Sequence, residues 1–284
     1  MDKGFYTANL SPEIESKLTE VDALQKQIWS YQKDATKAHL WPTVQEKLRM
    51  EWVHHSNAIE GGTLSLGETI FFLQHGMTVE GKPFKDFLDA RNHAQALDIL
   101  YEYISEGRGI SERLIKEINA LLLHGIRSTP SLDQFGNRVE KPATPGEYKK
   151  LPNTVLQTDG SIHEYVDPLQ VPSEMQTLCK WVNENIDKQH PVIVGALAHY
   201  NMVRIHPFDD GNGRGARILM NTILIKKRFP PAIIAIEKRR EYISAIVAAD
   251  EEELTPFLTF IANSLLATQT SILNTFDKGK NKGN

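Results

Sequence analysis

At 284 residues, with 40% hydrophobic and 24% charged side chains, the chain has the makeup of a soluble globular protein with one sizeable core, and fibrous, disulfide-scaffold and disorder-dominated classes are excluded. Lys and Arg total 32 against 36 Asp and Glu, a net charge of -4, so there is no positive excess to hold a nucleic-acid backbone, and nucleic acid is not expected as the main partner. The single cysteine, Cys179, excludes a thiolate zinc cluster, and neither a leader-like start nor a run of about 18 apolar residues occurs, so a cytoplasmic protein with no membrane partner is expected.

Helical periodicity dominates, and an all-α class with one small β-hairpin is predicted. Residues 11–37 carry Leu18, Val21, Leu24 and Ile28 at helical spacing, within an N-terminal helical extension placed over 1–44. Trp41-Pro42 resets the direction. A second helix is predicted over 44–59, ended by Gly61-Gly62, with Ser56 and Glu60 in its last turn. Ser65 and Glu68 form a capping box that opens a short helix ended by Gly76. Helices over 84–105 and 111–124 follow. The stretch 127–172 holds six prolines and the segment Asn153 to Ile162, where Asp159-Gly160 between β-favouring residues predicts the one hairpin. Helices resume over 173–186 and 192–205, the latter apolar nearly all round and therefore central, then over 212–227, 239–249 and 254–273. Residues 276–284 are expected to form a disordered tail.

Between the two most apolar helices lies His206-Pro207-Phe208-Asp209-Asp210-Gly211-Asn212-Gly213-Arg214-Gly215-Ala216-Arg217. A loop this rich in charge and glycine, flanked by buried helices, is held rigid while it presents polar groups into a cavity. Gly211-Asn212-Gly213 can turn successive amides toward one point at a helix start, an anion site for which phosphate is the natural occupant. Arg214 and Arg217, one turn apart, can both fork onto phosphate oxygens. Asp210 beside them suits a hard cation such as Mg²⁺. His206 can accept a hydroxyl proton near neutral pH. Each piece alone has a bland reading, as cap, turn or surface ion pair; their conjunction within twelve residues does not. Phe208 is read as an anchor into the core, His199 as a core residue, and adjacent His54 and His55 as unable to chelate together.

His206 to Arg217 matches the H-x-F-x-[DE]-G-N-G-R-x-x-R signature, and the chain resembles the Fic (filamentation induced by cAMP) family from about residue 45 to residue 265. The resemblance implies a helical fold, a catalytic domain over 45–275, and transfer of AMP from ATP to a protein Ser, Thr or Tyr hydroxyl. By position it implies His206 as base, Asp210 as Mg²⁺ ligand, Gly211, Asn212, Gly213 and Arg214 on the nucleotide phosphates, and Arg217 on the γ-phosphate. Tyr242 and Asp250 would line an adenine pocket, Asp250 standing where an amide is expected. The hairpin, within 149–166, would be a flap that aligns the target by strand addition. Ser56-Asn57-Ala58-Ile59-Glu60-Gly61 resembles the family's inhibitory sequence, in a helix over 44–60; Glu60 on Arg217 would take the γ-phosphate's place, and Ser56 would bond toward the motif. ATP as co-substrate, Mg²⁺ and a protein substrate are therefore expected, and a homodimer is compatible with the sequence. Two alternatives stand beside transfer: Glu60-dependent removal of AMP, and a nucleotide-sensing regulator without catalysis, which would not need His206.

Overall fold

A computed structural model describes residues 3–132, 138–156 and 162–280. The polypeptide begins with α1 (Pro12–Lys33), where the Ser11 hydroxyl accepts the Ile14 amide and Pro12 supplies a preset first turn. Its inward stripe of Ile14, Leu18, Val21 and Ile28 is buried. α2 (Trp41–Ile59) starts over Pro42 and stops at Glu60, after which Gly61 takes φ 98°. The predicted capping box opens α3 (Leu66–His75): Glu68 Oε2 accepts the Ser65 amide at 2.7 Å and Ser65 Oγ the Glu68 amide at 3.2 Å. α4 (Phe84–Ser105) and α5 (Glu112–Leu122) follow.

The remaining helices are α6 (Val171–Asn185), α7 (Pro191–Ile205), α8 (Asn212–Lys226), α9 (Arg239–Asp250) and α10 (Leu254–Lys280). α7 and α8 form the centre. Gly195 on α7 faces the Met220 carbonyl so closely that a Cβ would sit 3.3 Å from that oxygen, and glycine lets the two helices approach. One apolar layer, from α4, α5 and α6, covers one side of this pair; a second, from α1, α9 and α10, covers the other. The loop joining α7 to α8 is thus fixed at both ends by the most deeply buried helices. Among the described residues no helix is long and apolar enough to cross a membrane.

Two expectations are corrected. β3 (Thr154–Leu156) pairs antiparallel with β4 (Ile162–Glu164), Val155 opposite His163, where the hairpin was predicted; its Asp159-Gly160 turn lies outside the described residues. A second ladder joins β1 (Ser128–Leu132) to β2 (Arg138–Pro142), with Pro130 opposite Glu140. Prolines hid it. In a two-stranded ladder each strand has an unpaired outer edge, where a proline's missing donor costs nothing. The tail, in turn, is helical through residue 280, because Phe276 is fully buried, stacked 6.2 Å from Trp41 and edge-on to Tyr31. Residues 281–284 lie outside the described range.

Candidate active site

α7 ends at His206, whose amide donates to the Met202 carbonyl at 3.0 Å while its backbone turns left-handed, φ 50° and ψ 60°. That conformation is costly for a non-glycine residue and needs support from its surroundings. Phe208 supplies part of it: it is 1% exposed and packs 5.5 Å from the Tyr148 ring, the anchor read from the sequence. Asn212, buried at the start of α8, staples the loop, its Oδ1 accepting the Phe208 amide at 2.9 Å and its Nδ2 donating to the Phe208 carbonyl at 2.7 Å. Gly211, at φ 79°, then opens α8.

Further ties come from segments that carry no motif. The Lys149 amide donates to the Pro207 carbonyl at 2.8 Å, and its buried ammonium lies 3.4 Å from the Ile205 carbonyl, so Lys149 straddles His206. Burial lowers that ammonium to about 8, against the opposing pull of Asp167 and Asp209. Asn153 Nδ2 donates to the Phe208 carbonyl, Asn119 Nδ2 to that of Asp210, both at 2.9 Å. Lys141 and Thr144 hold the Asp209 carboxylate. The Tyr165 ring stacks on the His206 imidazole, centroids 3.8 Å apart and planes 22° from parallel. The loop is bonded on nearly every side.

Both arginines are buried, and each meets a carboxylate. Arg217 donates through Nε to Ser56 Oγ at 3.0 Å, and through Nη2 to the Ser56 carbonyl at 2.8 Å and Glu60 Oε1 at 2.7 Å. A Cβ on Gly213 would collide with Glu60 Oε1, so that carboxylate lies on the first turn of α8, the end where helix amides and dipole favour an anion. Burial alone would raise the Glu60 carboxyl; Arg217, with Arg214 and Arg239, outweighs it and holds the group below the ordinary carboxyl value. Arg239 also donates to the Ile59 carbonyl at 2.8 Å, and His55 accepts the Ile236 amide, which fastens the end of α2. Arg214 pairs with Asp89 on α4 at 2.8 Å and stands 3.8 Å from Asp210 Oδ1.

Tyr242 lies behind Arg217 in the core, its hydroxyl 2.8 Å from His199 Nε2. Burial and Arg217 push His199 down to about 3, so it is neutral and packs as a core residue. Asp250, at the exposed end of α9, accepts the Tyr200 hydroxyl at 3.0 Å. Among the described residues no three His, Cys, Asp or Glu side chains make a metal cage. Asp210, one third exposed beside the glycine turn and receiving the Gly211 amide at 2.5 Å, fits a different arrangement. A single carboxylate next to an anion nest suits a hard cation that takes its other ligands from phosphate and water.

His206, Asp210, the glycine turn and both arginines, expected from one segment, lie together with Ser56 and Glu60, expected from the resemblance; Asp89, Asn119, Lys149 and Tyr165 join them without having been expected there. Only Lys149 and Tyr165 left a trace, since both border the predicted hairpin. Residues 109–224 match the model of the Fic/DOC family. A relative from Drosophila erecta, named protein adenylyltransferase Fic, is 34% identical over 213 residues, which is 74% of this chain and 39% of that protein. The chain therefore spans about two fifths of the length of the curated relatives it matches. A Fic domain containing signalling protein from Bacteroides thetaiotaomicron superposes with a TM-score of 0.79 at 26% identity, covering 92% of this chain and 97% of that one. For Fic-1 from Caenorhabditis elegans the TM-score is 0.74 at 28% identity, covering 92% and 71%.

Proposed function

We propose, from the match of residues 109–224 to the Fic/DOC family model, a protein adenylyltransferase that moves AMP from ATP to a protein Ser, Thr or Tyr hydroxyl and is held back by its own Glu60. The observation that carries this reading is the placement of a histidine, an amide-rich helix start and two buried arginines on one braced loop, with a relative of the same domain named for the activity. His206 takes the proton from the target hydroxyl as its oxygen bonds to the α-phosphorus; the bond from that phosphorus to the bridging oxygen breaks, and pyrophosphate leaves. Backbone amides of Gly211 to Gly213 and the Arg214 and Arg217 guanidinium groups stabilise the phosphate charge. Asp210 would hold Mg²⁺, which supplies charge neutralisation on the phosphates.

Inhibition follows from occupancy. A carboxylate already on Arg217 and over Gly213 excludes a second anion from the same place. The catalytic unit is taken as 45–275, with the inhibitory helix over 44–60 and the flap over 149–166, whose β3–β4 edge would receive the target as an added strand. A cytoplasmic setting agrees with one buried cysteine, whose thiol burial pushes up to about 12. The 42% exposed Glu60 side chain also supports a second reading, in which this carboxylate activates water to remove AMP from a modified protein. Intact mass spectrometry of the Glu60→Gly variant after incubation with ATP tests the first. An added adenylyl group, absent when His206→Ala is combined with it, is expected; no added mass, with adenylylated protein cleaved by the unaltered enzyme, would favour the second.

A further inference from the structure

The two arginine-carboxylate pairs are built for different purposes. Glu60 is the C-cap of α2, with 42% of its side chain exposed, and it covers the first turn of α8. Asp89 lies inside α4 and is 10% exposed. Its Oδ1 accepts Arg214 Nη1 at 2.8 Å, and its Oδ2 accepts the Lys85 ammonium one turn back at 2.6 Å. Lys85 is half exposed, so Asp89 is tied between a surface cation and a buried one.

Among the described residues Asp89 is the one α4 carboxylate that pairs with Arg214. His93, one turn beyond Asp89, is fully buried, and burial together with Arg214 and Arg217 holds it well below the ordinary imidazole value, hence neutral. Arg214 itself is 4% exposed, and a buried cation without a counter-charge is strongly unfavourable. Only one corner of its fork is spent on Asp89. Nη2 stands 3.8 Å from Asp210 Oδ1, and Nε, though buried, has no hydrogen-bond partner among the described residues. The group is neutralised from behind with donors left over.

We propose that Asp89 is a positioning residue for Arg214, holding the planar guanidinium in the one orientation that leaves Nη2 beside Asp210 for a nucleotide phosphate at the start of α8. This rests on the nucleotide reading given above. Glu60 competes with phosphate, whereas Asp89 uses a different corner of a different arginine and stays in place when phosphate arrives. An arginine side chain otherwise has wide rotamer freedom, and fixing it in advance removes that cost from binding. α4 precedes residues 109–224, so this support comes from outside the segment that matches the family.

The test is a double-mutant cycle on ATP affinity by calorimetry, in a Glu60→Gly, His206→Ala parent that cannot turn the nucleotide over. Asp89→Asn should weaken ATP roughly 10- to 100-fold. In an Arg214→Ala background the same substitution should change affinity less than about twofold, because its route of action has gone. A loss of similar size in both backgrounds would show a structural role and overturn the proposal, as would unchanged ATP affinity in Asp89→Asn. Should Asp89→Asn fail to melt cooperatively, Asp89→Glu keeps the charge but displaces the oxygens by one methylene, and ATP binding as tight as the parent's would likewise overturn it. A parent that binds no ATP at all would overturn the nucleotide reading and this inference with it, before any comparison at Asp89 arises.

Discussion

Replacing Glu60 by glycine removes one carboxylate and little else. The residue is the C-cap of α2, a position where glycine is well tolerated, and Arg217 keeps its bonds to Ser56 Oγ and the Ser56 carbonyl, so the guanidinium stays aimed. What changes is charge. A carboxylate 2.7 Å from Arg217 would face a phosphate drawn to the same arginine across about 4 Å, a repulsion of about 4 kcal/mol per pair of unit charges at an effective dielectric near 20. With 42% of the Glu60 side chain in solvent, half of that is a fairer value, about 2 kcal/mol. At one tenfold per 1.4 kcal/mol, the expected rise in self-modification runs from about 30-fold to nearly 1,000-fold. Transfer of label from α-labelled ATP to the protein, as initial rate, is the assay. A Glu60→Gly rate within threefold of the unaltered protein would refute the argument, and so would a matching activation by Arg217→Ala, which removes the arginine that phosphate needs.

His206→Ala should cut transfer by at least about 100-fold while ATP affinity by calorimetry stays nearly unchanged, since a base at this position would act on the incoming hydroxyl and not on the phosphates. Asp210→Ala should lose activity together with the Mg²⁺ dependence of nucleotide binding; an unchanged dependence would move the cation's ligand elsewhere. The Glu60 carboxyl is held below its ordinary 4.5, so the stability it lends is fully present above that value and is lost only as pH falls through the lower folded value. The stability difference between the unaltered protein and Glu60→Gly, from denaturant unfolding, should therefore be flat from about pH 7 to about pH 5 and shrink only in stronger acid. Shrinkage already between those two values would contradict the pairing.

The sequence was most legible where one rule acted alone. Apolar periodicity located the helices, the Ser65 and Glu68 spacing a cap, and the density of polar residues between two buried helices the loop. Ser56 and Glu60 share a helix face by their spacing, but only the resemblance of residues 56–61 to the family's inhibitory sequence named Arg217 as their partner. Asp89 and Asn119 could not be placed, since a single acid or amide inside an amphipathic helix looks the same whether it faces water or a partner far along the chain. Lys149 bordered the predicted hairpin, yet its contact with the loop was hidden for a related reason: lysine is a surface residue by default, and only the fold brings its ammonium to the Ile205 carbonyl beside His206. Prolines misdirected the reading at 128–142, where edge pairing tolerates them.

The proposed function turns on which phosphorus of ATP the target hydroxyl attacks. Glu60→Gly protein, supplied with Mg²⁺ and with ATP labelled at the α position in one reaction and at the γ position in another, answers it directly. Protein-bound label from the α position alone, abolished by His206→Ala, is expected. Label from the γ position would make the chain a kinase, and label from neither would leave Glu60 guarding something other than an adenylyl transfer.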